Sequence, residues 1–205
     1  MNIIVTPREL STPWWWVYWK KPTKITTYVL NCDGSFKQKK YGSSAYILRS
    51  SQGVPLLAAS MPCPVNGLPI LFHEAKAILD GIIEVTQSFP YIEELEIRSD
   101  SRSIINAINQ NDADFRTVFG AGTIEIIYQI RRLTKEKLKS YKFVWVEREA
   151  NLAADFLAKI VNKKRSKRLR YENLDKFPDE LKIICRDDSN NIGRVRTAKT
   201  PNMVV

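Results

Sequence analysis

Hydrophobic and polar positions along the chain follow two periods in succession. Between residues 26 and 60, short β-rich runs alternate with turn residues. They are Thr26 to Asn31, Ala45 to Leu48 and Val54 to Ser60, and they are separated by Lys37, Lys39, Lys40 and Gly42 and by Ser50-Ser51-Gln52-Gly53. Three short strands with tight turns predict an antiparallel meander, closed by a Pro/Gly loop over 62–69. The period then lengthens. Leu71, Ala75, Ile78, Ile82 and Val85 recur at spacings of three and four and predict a helix over about 70–88. Gly81 inside it costs about 1 kcal/mol, which suits a close approach of helix to sheet. A fourth strand follows at 95–99, a short helix at 101–109 with Ile104, Ile105 and Ile108 inward, and a longer helix at 123–139 with Ile126, Ile127, Ile130 and Leu133 inward. A fifth strand spans 143–146. Asn151 is placed to cap a last helix carrying Ala153, Leu157, Ile160 and Val161. The order β-β-β-α-β-α-α-β-α predicts an α/β fold. Its five-stranded mixed sheet has three antiparallel strands and then two parallel ones, added by right-handed crossovers, with helices on both faces.

The flanks lack this regularity. Residues 1–24 hold Pro7, Pro13 and Pro22 around Trp14-Trp15-Trp16-Val17-Tyr18-Trp19 and read as a lead-in. Its aromatic run is expected to clip onto the domain's apolar surface rather than to stack on bases. Beyond Val161 the chain turns basic through Arg170 and then polar. This predicts a tail over 162–205 with a short docked segment around 177–184, which leaves residues 25–161 as the domain.

Composition narrows the function. A chain of 205 residues with 44% apolar content suits one buried domain with tails. A net charge of +10 and a pI near 9.5 favour a polyanionic partner, nucleic acid first. Lys163 to Arg168 fits a nuclear-import or nucleic-acid patch as well as it fits a solvated tail, and the basic residues of the 123–139 helix are similarly ambiguous. Three cysteines without CxxC spacing argue for a reducing compartment, nuclear or cytoplasmic, and against a zinc or disulfide frame. No run is long and apolar enough for a membrane span, and no secretory signal is evident. A monomer is expected.

Against this basic background four acids stand out: Asp33 late in the first strand, Glu74 in the first turns of the long helix, Asp100 at the end of the fourth strand, and Asp155 one turn into the last helix. Singly, each has an ordinary explanation: turn chemistry for Asp33-Gly34, a helix-start charge for Glu74, a cap for Asp100, and an i, i+4 pair with Lys159 for Asp155. Together they fall where an α/β sheet gathers ligands, beyond the carboxyl ends of its strands. Carboxylates so close cannot all stay ionised without cations, and hard oxygen donors favour Mg²⁺ or Mn²⁺. Two such ions about 4 Å apart suit phosphodiester hydrolysis without a nucleophilic side chain.

The local motifs are Asn31-Cys32-Asp33-Gly34-Ser35, Glu74-x-x-Ala77-x-x-x-Gly81, Ser99-Asp100-Ser101-x-Ser103 and Arg148-Glu149-Ala150-Asn151-x-x-Ala154-Asp155-x-Leu157-Ala158-Lys159. In these, and in the Trp19-Lys20-Lys21-Pro22 lead-in, the chain resembles the type 1 ribonuclease H superfamily, and more closely its plant, retroelement-related members, over about 19–161. The resemblance implies an endoribonuclease that cuts the RNA strand of RNA·DNA hybrids by a two-metal mechanism. It implies Asp33, Glu74, Asp100 and Asp155 as catalytic metal ligands, and Gly34, Ser35 and Ser101 near the substrate. Lys37, Lys39 and Lys40 sit where they would contact phosphates. One departure stands out. Type 1 enzymes often carry a histidine after the fifth strand. Here the only histidine is His73, to which no role is assigned, and the loop reads Trp145-Val146-Glu147-Arg148. The alternative is therefore a domain of retroelement origin that binds nucleic acid but is catalytically weak or inactive. Proofreading-type exonucleases fit poorly because Ser35 occupies their second acid's place, and transposases and integrases fit poorly because the last-helix acid is an aspartate.

Overall fold

The computed structural model describes residues 14–37, 41–63, 68–110, 118–164 and 167–197. Its strands are β1 (Trp14–Val17), β2 (Tyr28–Lys37), β3 (Tyr41–Arg49), β4 (Pro55–Cys63), β5 (Glu94–Ser99), β6 (Ser140–Trp145), β7 (Leu169–Tyr171) and β8 (Arg194–Thr197). Its helices are α1 (Ile70–Ser88), α2 (Arg102–Asn109), α3 (Ala121–Lys137), α4 (Leu152–Lys164) and α5 (Asp179–Ser189). The main sheet runs β6-β5-β2-β3-β4-β7. β2, β3 and β4 form the expected antiparallel meander, and β5 and β6 extend it in parallel. The predicted sheet of five strands is thus present, and its count is corrected to six by β7, which pairs antiparallel with the far edge of β4. A separate two-stranded ribbon joins β1 to β8.

Alternation along the strands sorts residues onto the two faces. Leu30, Cys32, Tyr46, Leu48, Leu57 and Ala59 face one core together with α1, α2 and α3. Ala45, Ile47 and Ala58 face the other, with α4 and α5. Helix α1 lies close to the sheet at Gly81, where a Cβ would come within 3.0 Å of Leu30 and 3.2 Å of Tyr46, the use expected for this glycine. On the opposite face, small residues bring α4 down. Ser43 and Ser60 each donate a hydroxyl hydrogen bond of 2.7 Å to α4 carbonyls, at Ala158 and Leu157, so the serines meet polar backbone rather than an apolar surface.

The docked stretch expected at 177–184 is present, and the described residues 167–197 of the predicted tail are built into the fold well beyond it. Phe177, Leu181 and Cys185 are buried in the second core. Arg49 on β3 and Asp188 on α5, both almost inaccessible, form a 2.9 Å ion pair that Arg194 completes at 2.6 Å. The lead-in divides. Trp19 is buried as expected, with Arg49 and Arg98 each about 5.1 Å from its ring centroid. Trp15 and Trp16 stay exposed on the ribbon. On the basic helix α3, Arg131 reaches the carbonyls of Ala107, Ile108 and Gln110 and so caps the end of α2. The three cysteines are free. No helix among the described residues is long and apolar enough to cross a membrane.

Candidate active site

Parallel pairing of β2 with β5 sets Asn31 opposite Arg98. Continuing that register by two residues puts Asp33 level with Asp100, one inside β2 and the other just past β5. Asp33 therefore does not sit in a turn: β2 continues through Asp33-Gly34-Ser35, which pair with Ala45, Ser44 and Ser43 of β3. Asp100 does not cap α2 either, because that helix begins at Arg102, its N-cap position is Ser101, and no side chain caps it.

Glu74 reaches this point because α1 passes directly over Gly34. A Cβ at Gly34 would lie 2.4 Å from the Glu74 nitrogen and from the His73 carbonyl carbon. The Gly34 N–H donates to Glu74 Oε2 at 3.0 Å. The glycine thus makes room for the helix and holds its carboxylate. Gly34→Ala is expected to destabilise the fold by about 1–3 kcal/mol through overpacking and to displace Glu74. Urea denaturation measures the first effect and a metal titration the second.

Ligand oxygens of Asp33, Glu74 and Asp100 all lie within 4.8 Å of one another. Burial pushes the Asp33 carboxyl well above the usual range, and the charges of Glu74, Asp100 and Asp155 push the same way. Glu74 is pushed up to about 8, first by burial and then by Asp100, while the Gly34 N–H and Arg148 pull it back. Asp155 stands close enough to act on both electrostatically but lies outside the 4.8 Å group. Its two oxygens are taken by Arg148, at 2.5 Å, and by Lys159, the i, i+4 pair visible in the sequence. The structure therefore gathers three of the four predicted acids and sets the fourth beside them in ion pairs.

Asn151 is a site residue that the sequence reading took only for a helix cap. Its side chain turns inward. Trp19 Nε1, which can only donate, binds Asn31 Oδ1 at 3.1 Å, and Asn31 Nδ2 then donates to Asn151 Oδ1 at 3.0 Å. Asn151 Nδ2 faces the Cys32 carbonyl at 2.9 Å and Asp100 Oδ1 at 3.2 Å. This buried chain runs from the lead-in to the acid cluster and fixes how Asp100 is presented. The sequence signals for it were an asparagine on β2 and the place of Asn151 itself in the motif that ends at Asp155.

His73, left without a role by the sequence, is fully buried, stacked on Phe36 at 5.4 Å and edge-on to Phe72 at 5.7 Å. Burial lowers its pKa. It packs the α1–β2 contact under the acids. Ser35 and Ser101 are partly exposed beside Asp33 and Asp100. Lys39 and Lys40 lie outside the described residues, and Lys37 is described only as the end of β2.

A family model described as reverse transcriptase-like matches residues 31–161, a span that includes all four acids and most of the strands and helices that carry them. The chain belongs to the reverse transcriptase-like family. No curated protein matches it. Solved structures share the fold of this family member at low identity. Ribonuclease H1 from the halophilic archaeon Halobacterium salinarum is 16% identical, with a TM-score of 0.56 over 67% of this chain and 98% of that one. LC11-RNase H1, crystallised with an RNA/DNA hybrid, is 18% identical, with a TM-score of 0.58 over 68% and 99%. The N-terminal RNase H domain of a Mycobacterium tuberculosis protein is 14% identical, with a TM-score of 0.56 over 68% and 99%. The fold is ribonuclease H-like.

Proposed function

We propose that this reverse transcriptase-like protein is a metal-dependent endoribonuclease that hydrolyses the RNA strand of RNA·DNA hybrids. The observation that carries the reading is the three-carboxylate cluster at the ends of paired parallel strands in a ribonuclease H-like fold. The donor set fits Mg²⁺ or Mn²⁺: only hard oxygens, close enough to share an ion, in a site where burial first and neighbouring acids second raise Asp33 and Glu74. Two bound ions would supply an activated water and charge stabilisation at the leaving 3′-oxygen. The chain's own part is to position. Gly34 holds Glu74, the Trp19–Asn31–Asn151 chain orients Asp100, and Arg148 offsets the acids' charge from the rim. Ser35, Ser101 and Gly34, with Lys37, Lys39 and Lys40, are assigned to the approach of the substrate backbone, and Asp155 to the ligand set once its cations yield.

The test is cleavage of an end-labelled RNA·DNA hybrid in Mg²⁺ or Mn²⁺, with Asp100→Asn alongside. Metal-dependent cleavage of the RNA strand by the parent alone is expected; equal rates for parent and variant sink the reading. A second reading, hybrid binding with little catalysis, is favoured by the ion pairs that occupy Asp155 and by the lack of a histidine in the 146–151 loop. It predicts binding in EDTA without cleavage above the variant.

Proton occupancy gives an independent check. Glu74 holds its proton in the folded state up to about pH 8. The stability this contributes is complete below the ordinary glutamate range and is lost as pH rises toward 8. In EDTA the melting temperature is therefore expected to fall across that window. Added Mg²⁺ or Mn²⁺ must displace the proton, so its stabilising shift should be larger at pH 8.5 than at pH 6. A metal shift that is equal at both pH values contradicts the site.

A further inference from the structure

Beside the acid cluster lies a cleft of about 560 Å³ between the β1 ribbon and the edge strand β6. One wall is Trp15, Trp16 and Tyr18, and the other is formed by Trp145 and its neighbours on β6. Trp15, Trp16 and Tyr18 are 40%, 49% and 36% exposed, an uncommon state for two adjacent indoles. They are held there rather than left loose. β8 pairs with the whole of β1, Trp15 Nε1 donates to the Glu147 carboxylate at 3.2 Å, and Arg196 lies 5.9 Å from the Trp15 ring centroid. The ribbon lies outside residues 31–161, so the family fold does not require it.

Two features say what fills the cleft. Trp145 connects it to the acids: its Nε1 donates to the Asp100 carbonyl at 3.1 Å, and the Arg102 guanidinium lies 4.0 Å over its ring. Although the Trp145 ring itself packs on the first core, the cleft adjoins the acid site along the backbone, and Ala150 of its lining directly precedes Asn151, which holds Asp100. The charge is also sorted. Inside, Glu96 is already paired with Arg98 and Lys142, and the Glu147 carboxylate takes the Trp15 N–H, so the interior offers ring faces rather than free charge; Lys20 stands beside the indoles. Phosphates find no unpaired cation among the described residues of such an interior and are drawn instead to Lys20 and to Arg196, which lies beside Trp15. Base rings suit it, because they stack on indoles whatever their sequence.

We infer that this cleft binds unpaired nucleotides, the single-stranded extension of a hybrid whose duplex part lies at the acid cluster. The inference rests on the nucleic-acid reading above and adds a second subsite to it. Stacking of one or two bases corresponds to about ten-fold or more in affinity.

The experiment measures binding of the full chain in EDTA, which removes cleavage from the readout. It compares a blunt RNA·DNA hybrid with hybrids carrying six-nucleotide RNA or DNA extensions at either end. An extended hybrid is expected to bind about ten-fold tighter than the blunt one and to quench tryptophan fluorescence. The double variant Trp15→Ala/Trp16→Ala should lose that gain while binding blunt hybrid as the parent does, and Trp15→Phe/Trp16→Phe should restore much of it. Thermal melts establish that the variants are folded. Equal affinity for blunt and extended hybrids, or a gain that survives the double alanine variant, overturns the cleft while leaving the hydrolase reading standing. Absence of binding to every duplex overturns both.

Discussion

Asp33→Asn is expected to make the protein melt higher in EDTA at pH 8.5 while lowering hybrid cleavage by roughly a thousand-fold, the equivalent of about 4 kcal/mol. The two effects share one cause. Asp33 is buried among Glu74, Asp100 and Asp155, and its carboxyl is raised well above the ordinary range. A raised carboxyl contributes stability that is fully present below its unfolded pKa and is lost as pH rises toward its folded value, so at pH 8.5 the metal-free parent has lost stability that an uncharged side chain keeps. Asparagine keeps the shape and drops the charge. In saturating Mg²⁺ the order should reverse, because the parent then gains binding energy that the variant lacks. A variant that melts lower than the parent in EDTA, or cleaves at the parent's rate, would show that these carboxylates are an ordinary structural cluster.

Asp188→Ala should have the largest effect on stability, a loss of about 3–5 kcal/mol in urea denaturation. Arg49 and Asp188 are each about 1% exposed, and the guanidinium, packed on Trp19, has no route to water once its partner is removed. Arg194 would lose its carboxylate as well. Removing both members of the buried pair, as in Arg49→Met/Asp188→Leu, should recover most of the loss, because an apolar pair carries no desolvation cost. If the single variant is as stable as the parent, α5 is an ornament on the fold rather than a part of it.

Most of the main sheet and its helices could be read from the sequence because each obeys one period. Leu71, Ala75, Ile78, Ile82 and Val85 all point into one core, and α1 spans the residues that this stripe predicts. β2 was read short because beyond Cys32 its residues face the acid site and the crossing helix rather than a core, so hydrophobicity stops while pairing goes on. Helix α5 was half visible. Leu181, Cys185 and Asp188 lie on one buried stripe of the helix, with Phe177 buried just before it, and an aspartate in such a stripe gives no apolar signal because it is engaged in a buried ion pair. The four-residue strands β1 and β8 gave no signal, since each is completed only by a partner far away in the chain.

Site legibility followed the same division. Asp33 and Asp100 were placed by strand layout, and Glu74 and Asp155 by motif resemblance. Sequence could not say that Lys159 and Arg148 hold Asp155, although the spacing to Lys159 offered that reading. Nor could it reveal Asn151, whose inward turn depends on Asn31 and Trp19 arriving from elsewhere.

The ribbon has a topological consequence as well. Trp14 pairs with Thr197 and Val17 with Arg194, so the described chain enters and leaves the fold side by side. A domain with neighbouring entry and exit points can be spliced into a surface loop of a host protein without prying the host apart, and its ends can be joined and new ones opened elsewhere. The tryptophan strand is in this sense a hasp. It lets the fold travel as a self-closed unit, and it means that trimming the chain to its family-matched span would remove the closure.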